Sequence, residues 1–170
     1  MTVIRRRSPP SSAFLGDLDT FYHWDSYEAP LRRGDLAMHE LYLALFAHQP
    51  AGFRKLLLLR DRIVAPFGLR PSDAGKPLEI KTVYAVGEKI VRFTLFGQSD
   101  NEIVTGGDDK HLDFRVSVRR LTEGGAERVT LSTVVSPHNL FGKAYLAAIL
   151  PFHRYGVRLL LANAFEAGRI

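Results

Sequence analysis

Between residues 78 and 138 the apolar residues of this chain recur at every second position in five short runs. That period constrains the fold more than any other feature of the sequence. The runs are IKTVYAV, KIVRFTLF, NEIVTGG, KHLDFRVSVRRL and ERVTLSTVV. Each is short, rich in β-branched and aromatic residues, and bounded by turn signals, so each reads as a strand. TEGGAE between the last two reads as a hairpin turn. Short links between successive strands imply an antiparallel meander. In the fourth run Leu112, Phe114, Val116 and Val118 alternate with His111, Asp113, Arg115 and Ser117. A half-buried strand with one wet face accounts for that alternation without a His/Asp/Arg site. In the fifth, Val129, Leu131, Thr133 and Val135 form the matching apolar set, while Arg128, Thr130 and Ser132 point away.

On either side the period is helical. Before the runs, Met38, Leu41, Tyr42 and Leu45 share a face, with Asp35 as an N-cap and His48, Gln49 and Pro50 as the stop. A second helix begins near Ala51. It groups Phe53, Leu56, Leu57, Ile63, Val64 and Phe67 on one side and stops at Gly68. RPSDAGKP is a loop by composition. Part of FLGDLDTFYHWDSY reads as a first strand. After SPHNLFG comes a long terminal helix. In it Leu146, Ile149, Leu150, Val157 and Leu160 cluster on one side, with Tyr145 and Phe152 at the edge and Arg154 and Arg158 opposite. Pro151 removes a backbone donor inside that helix, and a kink there would let it follow a curved sheet. Ala147, Ala148 and Gly156 keep parts of it thin, for close backbone approach or for a ligand.

The class is therefore α+β: a curved antiparallel sheet wrapped around a long kinked C-terminal helix, with two helices inserted after the first strand. That order resembles the helix-grip fold of the START and Bet v 1-like (SRPBCC) proteins. One domain is expected over residues 13–170, behind a mobile Ser/Pro-rich leader at 1–12. The chain has 46% apolar and 24% charged residues, no cysteine and a formal charge of +5. These fit a cytoplasmic globular protein without disulfides or thiolate metal sites, and no nucleic-acid motif accompanies the charge. The leader lacks the apolar run of a secretory signal, and His153, Arg154 and Arg158 interrupt the one stretch approaching the length of a membrane span.

Two residues are out of place on apolar faces. His153 occupies a position where leucine would be expected. A core histidine with a satisfied ring explains it, and a ligand contact or general base is the sharper alternative. Arg60 sits among Leu56, Ile63, Val64 and Phe67. Buried, its guanidinium needs a carboxylate, a carbonyl or an anionic ligand. No GxGxxG, phosphate loop or nucleophile elbow is present, and His138 and His153 have no third ligand at metal spacing. Neither a cofactor nor a metal is expected.

LLLLRDRIVAPFGL, DDKHLDFRVSV and STVVSPHNLFGKAYLAAILPFHR together resemble an uncharacterised bacterial family of unknown function. Its domain occurs alone and also behind an NAD(P)-binding epimerase-like domain, which does not precede the resemblance in these 170 residues. The resemblance covers roughly residues 17–165 and places Arg60, Asp61, Asp109, His111, Asp113, Arg115, His138, Asn139, Tyr145, Pro151 and His153 in the recognisable blocks. It implies no activity and no catalytic residues.

Three functions remain open. A binding module would hold a small hydrophobic or amphipathic molecule between sheet and terminal helix, lined by Arg60, Phe114, Leu131, Tyr145, Ile149 and His153. An enzyme of the same fold, a cyclase, dehydratase or hydrolase, would use His153 or His138 as general base, the more readily if a histidine pairs with Asp113 or Asp109. A surface protein would dock its amphipathic helix on a membrane interface or on a second copy as a homodimer.

Overall fold

The hairpin at Gly124 and Gly125 sets the register of the largest part of the sheet. Both glycines have positive φ, 58° and 81°, the geometry of a two-residue hairpin turn that other residues adopt at a cost. The strands it joins, β6 (Leu112–Glu123) and β7 (Ala126–Pro137), pair along their whole length. The computed structural model describes residues 4–48, 50–65 and 80–170. Over these it is α+β, a curved, open antiparallel sheet with one long and two shorter helices.

The remaining strands are β1 (Arg5–Arg6), β2 (His23–Pro30), β3 (Lys89–Ile90), β4 (Phe93–Gln98) and β5 (Glu102–Asp108), in spatial order β1-β2-β7-β6-β5-β4-β3. β3 to β7 form a meander, but KIVRFTLF, read as one strand, is two, β3 and the start of β4, which turn at Val91 and Arg92; β2 closes onto β7 from the other end of the chain. Both edge strands are two residues long and pair with only part of their neighbours, Tyr27 and Glu28 of β2 and Phe93 and Thr94 of β4. Helices α1 (Met38–Phe46) and α2 (Ala51–Val64) follow β2, and α3 (Leu140–Glu166) ends the fold.

Phe114, Val116 and Val118 of β6 stand opposite Val135, Thr133 and Leu131 of β7, so the two alternating sets share the inner face as their period requires. Leu160, Leu161 and Val157 of α3 and Leu41, Tyr42 and Leu45 of α1 pack against this face in one core.

Several local expectations are corrected. Asp35 does not cap α1. It pairs with Arg33, while the Glu40 carboxylate accepts from the Ala37 N–H at 2.8 Å. IKTVYAV is not a strand. Ile80, Val83 and Val86 face solvent, and only Tyr84 is buried, its hydroxyl accepting from the Lys81 N–H. α3 runs unbroken through Pro151. Its close approach is at Gly142, where a Cβ would run into the His111 carbonyl, while Ala147 and Ala148 are exposed. Gly156 is thin for a side chain instead, the Phe53 ring. Phe67, Gly68 and the RPSDAGKP loop lie outside the described residues.

The outer face of the sheet is drier than alternation alone implies. Leu15, Leu18 and Phe21 lie with Trp24, Phe96, Val104 and Val134 there, and beside them Ser26 bonds Ser132 and Ser117 donates to Glu102, all buried. Part of the segment read as a leader also belongs to the sheet. Arg5 and Arg6 pair with Glu28 and Tyr27, and the Arg7 guanidinium meets the Glu28 carboxylate at 2.8 Å.

Candidate functional site

β2 and α3 bring the chemistry of this chain together. In β2 the pleat puts His23, Asp25, Tyr27 and Ala29 on one side. Their partners on β7 are Val135, Thr133, Leu131 and Val129, which fixes that side as the inner face. An acid and an imidazole therefore stand in a surface otherwise built mostly of apolar residues. α3 is started by Asn139, whose side-chain oxygen accepts from the Gly142 N–H at 2.9 Å. About four turns on, the helix passes His153 over Asp25.

His153 Nε2 lies 3.1 Å from Asp25 Oδ1. His23 Nε2 lies 3.7 Å from Asp25 Oδ2, and Arg154 Nε 4.0 Å from the same oxygen. The Asp25 side chain is 1% exposed, and those of His23 and His153 are 18% and 27% exposed. Asp25 is thus sealed behind two imidazoles. Burial pushes its carboxyl up, but the His153 hydrogen bond and the charges of His153, His23 and Arg154 outweigh this and hold it below the usual carboxylate range. For His23 burial wins over the attraction of Asp25, and its imidazole is pushed down towards the neutral form. Asp25 Oδ2, His23 Nε2 and Thr133 Oγ1 are buried with no hydrogen-bond partner among the described residues.

Between the inner face, α3 and one side of α2 lies a cavity of about 550 Å³. Arg60, Phe114, Leu131, Tyr145, Ile149 and His153, the residues expected to surround a ligand, all line it. His23 and Thr133 line it too, while Asp25 stands behind them. Arg60 has the partners its burial demands: Nε donates to the Tyr145 hydroxyl and a terminal nitrogen to Asp61 Oδ1, each at 2.9 Å. The bond to Tyr145 ties α2 to α3 across the cavity wall, while the pair with Asp61 lies within α2.

His138 is placed elsewhere. It pairs with Asp113 at 3.0 Å, as one reading of the sequence asked, but both side chains are well exposed and neither borders the cavity. The carboxylate that serves His153 is Asp25, not Asp113 or Asp109, and Asp109 instead contributes to the cavity wall. Asp25 and His23 were not singled out from the sequence. The available signal was HWDSY, where a period of two aligns His23 and Asp25 with the buried Tyr27. Among the described residues no group of three or more His, Cys, Asp or Glu side chains, the His23–Asp25–His153 cluster included, is arranged to hold a metal ion. None of the described helices is long and apolar enough to cross a membrane. The face of α3 that a docking role would use is occupied, since Leu146, Val157, Leu160 and Leu161 are buried within the fold.

No curated protein and no solved structure matches the chain. A family model described as "Protein of unknown function (DUF2867)" matches residues 18–160, which hold β2, all of the meander, His23, Asp25 and His153. The chain belongs to the DUF2867 family.

Proposed function

We propose that this protein binds one small, largely apolar molecule in the cavity between the inner face of the sheet and α3. A single observation carries the reading: one partly open pocket is lined mainly by aliphatic and aromatic side chains and also by His153 and Arg60, the two ionisable residues that break apolar helical faces. A volume of about 550 Å³ lies within the range of roughly 300–1,000 Å³ typical of small-molecule pockets. Tyr145 and His153 are eight residues apart on α3, about 12 Å along a helix of 1.5 Å rise, with Ile149 between them. A ligand of that length would meet an apolar middle and a polar post at each end.

On this reading the architecture is a helix-grip of the START-like kind, the family is bacterial, and the protein works in the cytoplasm without a cofactor. A thermal-shift screen of medium-chain fatty acids tests it. The wild type is expected to gain stability from acids that span the cavity. Ile149→Trp, which fills the middle, is expected to lose the response while remaining folded. Equal shifts in both proteins would place the acids elsewhere and refute the reading.

A further inference from the structure

We infer that His153 is a general base directed into the cavity and positioned by Asp25, so that the site abstracts a proton from a carbon next to a carbonyl group in its apolar ligand. The inference rests on the cavity being a ligand site and adds chemistry to it.

The geometry is that of an oriented imidazole. Asp25 is sealed from solvent, and Oδ1 faces His153 Nε2 at 3.1 Å. A carboxylate there accepts the Nε2–H and thereby selects the tautomer. In the neutral ring the lone pair is then on Nδ1, which makes no hydrogen bond among the described residues, and the ring borders the cavity. A histidine kept only for packing needs no buried acid behind it. Retaining one costs folding energy, and Asp25 Oδ2 is not even hydrogen-bonded.

His23 on the far side of Asp25 completes the arrangement. It too turns Nε2 towards the carboxylate, at 3.7 Å, and its burial favours the neutral ring. The negative charge of Asp25 is therefore left for the imidazolium that His153 becomes when it takes a proton. Arg154 is the charged neighbour on the same helix, and Arg60, Lys89, Arg92, Asp108 and Asp109 also line the cavity that His153 borders.

The step balances without a co-reactant. Nδ1 of His153 takes the proton, the C–H electron pair becomes the carbon–carbon double bond of an enolate, and the carbonyl π pair moves onto oxygen. In a β,γ-unsaturated carbonyl compound that enolate is a dienolate, and the imidazolium returns the proton to its γ carbon as the oxygen electron pair re-forms the carbonyl and the remaining double bond settles between the α and β carbons. The outcome is an isomerisation, with nothing oxidised or reduced.

Nitrobenzisoxazole is a compact apolar probe for such a base. Loss of its ring C–H proton breaks the N–O bond and leaves the electron pair on a coloured phenolate. The wild type is expected to convert it at least about a hundredfold faster than the same concentration of free imidazole, the lower end of what a positioned base contributes. His153→Ala is expected to fall to the free-imidazole level and to recover partly when imidazole is added, a rescue that also shows the variant is folded. Asp25→Asn is expected to lower kcat with little change in KM, since it disturbs the direction of the base and not the apolar contacts. Undiminished turnover in His153→Ala, or a wild type no faster than free imidazole, would overturn the inference. Anilinonaphthalene sulfonate fluorescence on the same samples separates the two levels. Binding without turnover removes the base and leaves the ligand site, whereas no binding removes both.

Discussion

If the Asp25–His153 pair exists for function, the fold should not need it, and a double-mutant cycle with leucine at both positions can show this. Asp25 has no exposed surface, and its carboxylate is held by one hydrogen bond, from His153, with His23 and Arg154 no closer than 3.7 Å. His153→Leu strands that carboxylate. Breaking a buried pair in this way costs about 3–5 kcal/mol, and the lower figure applies because His23 and Arg154 remain beside it. Asp25→Leu leaves a partly exposed imidazole that can stay neutral, for a cost of about 0–1 kcal/mol. The double variant replaces both polar groups with aliphatic ones next to Tyr27 and Leu131. It should match the wild type or exceed it by about 1–4 kcal/mol. The coupling energy is then at least about 3 kcal/mol. Urea unfolding gives the free energies directly, and in a chain of this size each kcal/mol corresponds to about 2–4 °C in Tm. A double variant that loses the sum of the two single losses would refute the reasoning, because the pair would then be two independent structural groups.

The remaining predictions concern packing and pH. Gly142→Ala should destabilise by about 1–3 kcal/mol although alanine is the better helix former, because its Cβ meets the His111 carbonyl; Gly52→Ala, with open space around it, should be neutral or gain up to about 1 kcal/mol, and a Gly142→Ala protein as stable as the wild type in urea would contradict the close approach. Tyr145→Phe removes the acceptor of Arg60 Nε and should raise amide exchange in α2 more than in α1, at a cost of about 1–2 kcal/mol; equal exchange in both helices would show that this bond does not hold α2. Because burial lowers His23 from its ordinary 6.5, the folded protein binds fewer protons than the unfolded chain just below that pH, so stability should fall as pH drops through 6.5 towards the depressed folded value. Asp25, held low, adds a further loss only when the pH falls through its own depressed value, below 3.8. Urea midpoints at neutral and mildly acid pH should differ less in His23→Gln than in the wild type, and an identical difference would assign the slope to another group.

What could be read from the sequence was local, and what could not was set by distant pairing. The Gly124–Gly125 turn fixes which residues of β6 and β7 oppose each other, so Phe114 and Leu131 could be placed on the inner face from their neighbours alone. Tyr145, Ile149 and His153 followed from one helical period. Asp25 was different. Its side depends on β2 pairing with β7, which follows it by a hundred residues, and nothing in HWDSY states that its odd positions face inwards. The same non-locality hid the outer face. Ser26 and Ser132 look like wet positions, yet they are buried and bonded to each other on the face where Leu15, Leu18 and Phe21 pack against Trp24 and Val134. Ile80 to Val86 misled for the opposite reason. Their β-branched residues have strand propensity, but the sheet edge they precede is only two residues long and offers them no partner.

Native mass spectrometry of the protein isolated gently from its own host tests the central claim most directly. The expected spectrum carries a species heavier than the chain by one small molecule, absent from Ile149→Trp prepared in the same way. A wild type found only at the mass of its polypeptide, and unmoved by every fatty acid that spans the cavity, would contradict it.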